Sequence, residues 1–490
     1  MRSYGARRVG LGSIAPLGAL MVCSMACAQS IPSAAPGLRV DAPIDANRPY
    51  AQELTSSAAR ELVIAVAGSL VIDSPLATLP AWDPMVIELL NGRTFAATAT
   101  VAVADLQTTL IDPATFAGFP YGWDGSPAYA TPPGIAVALR HQGLSMLARA
   151  NSHALDWGID GMRATSAALE AAGLKHAGTG DREGLARMAS FLDEPSGKGR
   201  IALIATATSF RPTTNALSAH GAAPGRAGIS AIELLPVRLV PAQERAQLQR
   251  MACRFQHPSD PEHCEHLGSP PATVSLFGNR FRSGTTARAD YRSDYEVNQV
   301  QVANELRAVR EAKQNSDLVI LSVATGQADL LAPTAGASAP VLERLAHAAI
   351  EAGADIVMAT GSPALGPIEI YQPVAGPPRP ILYGMGRLYC SSGAAALTDR
   401  SENLQSIIVR SGIDGNRLTV EIYPIDLSAG NGPAGIPRLA SAARGREILA
   451  RLQSLSAPFH TEIRTEPYGA TIRGLIVVSA GAVSVTREGT

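Results

Sequence analysis

The run Asn151-Ser152-His153-Ala154-Leu155-Asp156-Trp157-Gly158 concentrates an amide, an imidazole and a carboxylate in one short stretch. Upstream stand Asp105 and Gln107, and Ser69 follows an earlier apolar run. Such groups support three chemistries. Carboxylates and imidazoles together hold divalent ions, which lower the pKa of a bound water. A histidine within reach of a substrate passes a proton to a leaving group. A serine activated by a histidine becomes a nucleophile, and Ser69, Ser152 or Ser362 with His153 and Asp105 allow such a triad to be drawn. The serine route lacks a GxSxG elbow. Neither GxGxxG nor GxxxxGK[ST] follows an apolar run, so nucleotide binding through those loops has no support.

A second cluster lies in CRFQHPSDPEHCEH, which holds Cys253, His257, His263, Cys264 and His266. These are zinc-type donors, yet their spacing matches no standard finger. In an oxidising compartment the expected arrangement is a Cys253–Cys264 disulfide closing a surface loop, which stabilises by roughly 3 kcal/mol. Cys390 is then left unpaired.

The compartment is suggested by the first residues. Arg2, Arg7 and Arg8 precede an apolar stretch over 11–25, followed by Ala26-Cys27-Ala28-Gln29. This pattern predicts a signal peptide over 1–28, cleaved near Ala28. The stretch is too short and too broken by Gly and Ser to span a bilayer. Lipid attachment at Cys27 is the alternative, although Ser24-Met25-Ala26 suits it poorly. No later segment has the ~20 continuous apolar residues of a membrane helix. The mature chain is therefore expected to be periplasmic or extracellular, without a transmembrane segment.

Residues 29–57, rich in Pro, Ala and Asp, read as a linker. Beyond them, short β-branched runs alternate with helical spacing. Strands are predicted over 62–67, 98–103, 144–148, 201–205, 317–321, 355–358, 368–372, 381–383, 405–410 and 417–423. Helices are predicted from Asp83-Pro84 and over 133–142, 160–172, 295–313, 341–352 and 437–455. A final β segment covers 471–485. Periodicity disappears over 209–231 and 257–293, which read as loop insertions. This order indicates α/β layers with mixed sheets. Chemistry in such folds gathers at the carboxyl ends of strands, where Ser69, Asp105, Asn151, Ala324 and Gly361 stand.

These strand ends, taken in order, resemble the CapA family, linked to capsule and poly-γ-glutamate production. The resemblance rests on ANSHALDWG, the GRAGISAI stretch around Gly225, GPIEIY and ARGREILARLQSLSAPF, and spans most of the mature chain. It implies the fold of calcineurin-like phosphoesterases: an αββα-type sandwich of two mixed β-sheets flanked by helices. The expected domain covers 58–455, with a C-terminal β extension over 456–490 packed on it. The family's motifs are GD, NLE, ANNHxLDxG, HWG, GHHPH and SLGNFVF. Here Ser69 stands at the first aspartate, Asp105 and Gln107 replace Asn and Glu of NLE, and Ser152 replaces the middle Asn of ANNH. Ala324 stands at the HWG histidine, Gly361 lies in the stretch replacing GHHPH, and Arg387 replaces the Asn of SLGNFVF. Asn151 and His153 persist.

A two-metal hydrolase holds its ions ~3.5–4 Å apart with charged and imidazole ligands, and most of these are absent. No metal cofactor is expected, or at most one weakly bound divalent ion at Asp105 with His153 nearby. Asp73, further along the loop, does not replace the carboxylate missing at Ser69. Without a metal-bound substrate His153 becomes a hydrogen-bonded structural residue, with Asn151, Asp156 and Trp157 shaping the turn and helix start.

Bulk composition agrees with a globular protein: 46% hydrophobic, 17% charged, with 45 Gly and 35 Pro. A net charge of -1 offers no general attraction to nucleic acid. The resemblance implies an envelope polymer or its export machinery as partner. The resulting expectation is a binding or assembly protein with vestigial catalytic positions at His153, Asn151 and Asp105. The alternative is a phosphoesterase-like or amide-bond-acting hydrolase with a single metal or a rebuilt serine site.

Overall fold

Continuous apolar runs become the central strands, since a strand covered on both faces has no need of polar alternation. The computed structural model describes residues 62–479 apart from 93–99, 122–126, 195–196, 198, 209–211, 261, 269–271, 284–291, 326–339, 392–400, 415–416 and 429–432. All of these belong to one unit that begins at Leu54. The expected signal peptide, its cleavage position, the linker and residues 480–490 lie outside the described residues.

Two large sheets form the centre. In the first, Leu62–Val71, Thr100–Gln107, Met146–Ala148 and Lys175–Ala177 run parallel. On its other side Leu62–Val71 pairs antiparallel with Gln405–Asp414, followed by Arg417–Asp426, Thr471–Ser479 and Arg464–Tyr468. The second sheet orders Ala231–Ile232, Arg200–Thr208, Leu318–Ala324, Ile356–Thr360, Arg379–Leu382 and Ile368–Tyr371. Both sheets are mixed.

The alternation of side chains along these strands creates four layers. Ile64, Val66, Val101 and Val103 of the first sheet meet Leu203, Ile320, Ile356 and Met358 of the second in one buried cluster. Ala65, Ala67, Ala102 and Ala104 point the other way, onto Val86, Leu89, Ile135, Leu139 and Leu169 of helices Pro84–Asn91, Ile135–His141 and Gly158–Ala171. Val319, Leu321 and Val357 point outward from the second sheet onto helices Gln299–Gln314 and Pro340–Glu351. The fold is thus the helix–sheet–sheet–helix sandwich expected of a metallophosphatase-like chain.

Local chemistry sets the element ends. Asp83 caps helix Pro84–Asn91 by accepting the Met85 N–H at 2.9 Å, with Pro84 at its start and left-handed Gly92 at its close. The other Asp83 oxygen accepts the Leu439 N–H at 3.0 Å, fixing this helix to the strand Arg438–Leu439.

Three expectations are corrected. The helix expected over 295–313 begins at Gln299, because Asn298 accepts the Gln301 N–H and Tyr295 belongs to strand Arg292–Val297. The stretch 257–293 is not all loop. Thr273–Leu276 and Asn279–Ser283 form a hairpin and join Leu234–Val240 and Arg292–Val297 in a four-stranded sheet beside helix Ala242–Gln256. Its turn is Phe277-Gly278, both at positive φ, and a phenylalanine there conceals the usual Asn-Gly signal. The helix expected over 437–455 runs Ala442–Ser456, capped by Ser441, because Arg438–Leu439 pairs as a strand.

One glycine is fixed by space. A Cβ on Gly68 would lie 2.2 Å from the Gly386 carbonyl oxygen, where strand Arg387–Cys390 comes alongside Leu62–Val71. Gly68→Ala is expected to cost about 2 kcal/mol, the scale of overpacking, read as a lowered denaturant midpoint. An unchanged midpoint would contradict the close approach.

Candidate functional site

Parallel strands bring their carboxyl ends to one edge of the sandwich, so distant residues become neighbours. Ser69 lies in register with Asp105 on one side and Arg387 on the other. A cleft of about 240 Å³ opens there, lined among others by Ser69, Gln107, Tyr129, Asn151, Ser152, His153, Ala324, Gly361, Ser362 and Arg387. Asp105 lies beneath it, with no exposed surface.

The run after strand Met146–Ala148 is held from below. Arg149, 1% exposed, donates to the Ser166 hydroxyl at 2.7 Å and the Met162 carbonyl at 3.0 Å on the following helix. Burial lowers its pKa to about 9. The Asn151 side-chain carbonyl then accepts the His153 N–H at 3.0 Å, an Asx-turn that points the imidazole toward the cleft. His153 Nδ1 is 2.8 Å from Asp156, whose same oxygen accepts the Tyr129 N–H at 2.7 Å. Tyr129 and His153 consequently stack, ring centroids 3.8 Å apart and nearly parallel at 9°. A carboxylate only accepts, so the ring proton belongs on Nδ1 and Nε2 is left as the free ring nitrogen. His153 keeps an orienting acid, but none of its ring contacts is with a serine among the described residues. The Ser69 hydroxyl is directed at Asp105 instead, at 3.1 Å.

Asp105 is the centre of a closed network. One oxygen accepts the Asn151 amide at 2.8 Å; the other accepts the Gln107 amide at 2.7 Å and Ser69. The Asn151 amide also donates to the Leu106 carbonyl at 2.8 Å. Burial pushes the Asp105 carboxyl up from its ordinary value, while Gln107, Asn151, Ser69 and Thr360 pull it down less strongly. A metal ligand must present a lone pair outward, and both oxygens of this group are engaged by donors within the network.

These residues do not fit a pair of divalent ions. Ser69, Gln107, Ser152, Ala324 and Gly361 offer no carboxylate or imidazole, and the Asn151 amide is spent. Nor does position 361 readily admit a ligand side chain: Gly361 has φ +98°, and a Cβ there would lie 2.2 Å from the Thr325 carbonyl oxygen. Asp73 accepts from the Ser391 hydroxyl at 2.6 Å and does not line the cleft.

The bacterial capsule synthesis protein PGA_cap family matches residues 89–392, a segment that carries all these strand ends except Ser69. This chain belongs to that family. Two relatives from Sinorhizobium fredii (strain NBRC 101917 / NGR234), described as uncharacterized proteins y4sH and y4uA, are each 29% identical over 468 residues. Each alignment takes in 86% of this chain and 96% of the relative.

Elsewhere in this PGA_cap chain, Cys253 and Cys264 are joined by a disulfide, with Cα atoms 5.6 Å apart. The ligand atoms of Cys253, His257 and His263 lie within 4.8 Å of one another, but the disulfide takes the sulfur a zinc ion would use. Cys390 is buried and lies outside the disulfide. Tyr129 is a cleft residue that the sequence did not reveal: it follows no periodic run, and long-range bonds to Asp156 and Thr109 place it over His153.

Proposed function

We propose that this PGA_cap protein is exported and serves capsule-type polymer production as a binding or assembly component, using its cleft to hold a ligand rather than to hydrolyse one. The carrying observation is the commitment of Asp105: the only carboxylate left among the positions corresponding to the metal site is buried and occupied by Ser69, Gln107 and Asn151. Two-metal hydrolysis depends on outward carboxylates. The partner is an envelope polymer or its export machinery, a reading supported by family membership. Export is supported by the basic and apolar N-terminal pattern, and among the described residues no helix is long and apolar enough to cross a membrane.

A second reading has one observation in its favour. The His153–Asp156 pair faces the cleft in the orientation of an acid–base couple, which suits a hydrolase with a single metal. Metal analysis of the purified protein, with a phosphodiester assay under added manganese or zinc, separates the two. The binding reading expects substoichiometric metal and no turnover. Stoichiometric tight metal with turnover abolished by His153→Ala would overturn it.

A further inference from the structure

The Arg387 guanidinium lines the cleft beside Ser69, at the position where the resembling family carries an asparagine. Its Nη1 is buried and has no hydrogen-bond partner among the described residues, and no carboxylate there comes within ion-pair distance. Asp105, on the other side of Ser69, is turned into its own network. A guanidinium N–H withdrawn from water without an acceptor is costly, and the planar fork suits carboxylate and phosphate oxygens. We infer that Arg387 makes the cleft an oxyanion site, taking a carboxylate or phosphate group of an extended or small ligand.

Three features of the surroundings agree. The cleft volume of about 240 Å³ admits an acidic group with a short stem, not a folded partner. The stacked Tyr129 and His153 rings form a flat wall for that stem. Burial, with the Asp73 charge adding to it and Arg387 opposing, raises the Tyr129 phenol above its ordinary value, so its O–H stays a donor. The fixed positive charge of Arg387 stands in the region where a di-metal centre would supply cationic charge. Unlike a metal ion, it cannot be removed by a chelator.

The inference rests on the metal-free reading of the cleft, and the experiment separates the two. Inorganic phosphate and glutarate are titrated calorimetrically into the chelator-treated full mature protein at low ionic strength. One-site binding is expected, weakened about tenfold or more in Arg387→Gln and to an intermediate degree in Arg387→Lys. The tighter of the two probes identifies the ligand as carboxylate- or phosphate-bearing. Wild-type affinity in a folded Arg387→Gln would overturn the inference; if Gln does not fold, wild-type affinity in Lys for both probes overturns the fork. The same titration is run on untreated protein: binding of a probe there that is absent after chelator, with Arg387 intact, would instead overturn the metal-free reading, whereas absence in both overturns the inference.

Discussion

Asp105→Ala is expected to lower the unfolding free energy by about 3–4 kcal/mol, while Asp105→Asn costs less than about 1.5 kcal/mol. Alanine removes the acceptor shared by the Ser69 hydroxyl and the Gln107 and Asn151 amides, all buried residues, with Asp105 itself unexposed. Asparagine keeps the shape and one carbonyl. Asn151 cannot turn its amide, because its oxygen already accepts His153 N–H and its nitrogen serves Leu106. Gln107 can turn, restoring an acceptor for the new amide. Were Asp105 a metal ligand, both substitutions would lose the ion alike, and chelator would bring the wild type down to them. Denaturant unfolding of the three proteins with and without chelator decides; equal losses for both variants would contradict the closed network.

Glu305→Gln is expected to flatten the pH dependence of stability and to stabilise the protein above neutrality. Glu305 is 1% exposed on helix Gln299–Gln314, accepts the Ser230 hydroxyl at 3.2 Å and lies 3.4 Å from Arg187 Nε. Burial raises its pKa from 4.5 to about 7, against the pull of Arg187. Between those values the folded chain holds a proton that the unfolded chain releases. Stability from this group is therefore full below 4.5 and is lost as pH rises through 7, about 3 kcal/mol at the upper bound. Glutamine stays neutral throughout, and Arg187 retains Glu183 as its partner. Asp105 shifts in the same direction, so the comparison of variant with wild type isolates Glu305. Parallel stability curves for the two proteins from pH 5 to 8 would contradict the assignment.

The sandwich was legible because its central strands are unbroken apolar runs and its helices carry their own caps, as Asp83-Pro84 does. The cleft was legible as a set of positions, since strand ends follow the chain order of the motifs and carry Ser69, Asp105, Asn151, Ala324 and Gly361. Their bonding was not legible. That Asp105 faces inward depends on the register of Leu62–Val71 against Thr100–Gln107, and periodicity carries no register between strands. Arg387 was visible as a substitution, but its place in the cleft follows from the parallel pairing of Arg387–Cys390 with Leu62–Val71, some three hundred residues away in sequence. The hairpin at Phe277-Gly278 escaped because its turn residue is atypical.

The positions of Cys253, Cys264 and Cys390 bear on how the chain reaches its native covalent state. Cys253 and Cys264 emerge together from the ribosome, and both precede Cys390. In an oxidising compartment the local pair can close across a short loop before Cys390 has been made. Cys390 then enters the interior with its strand, its N–H bound to the Gly435 carbonyl at 3.0 Å and its side chain packed near Val71 and Ala434. Synthesis order favours the correct crosslink and burial then shields the third thiol, so neither step calls for a disulfide isomerase. Refolding the reduced chain, in which Cys390 competes with Cys253 and Cys264 from the start, is the situation that invites mispairing.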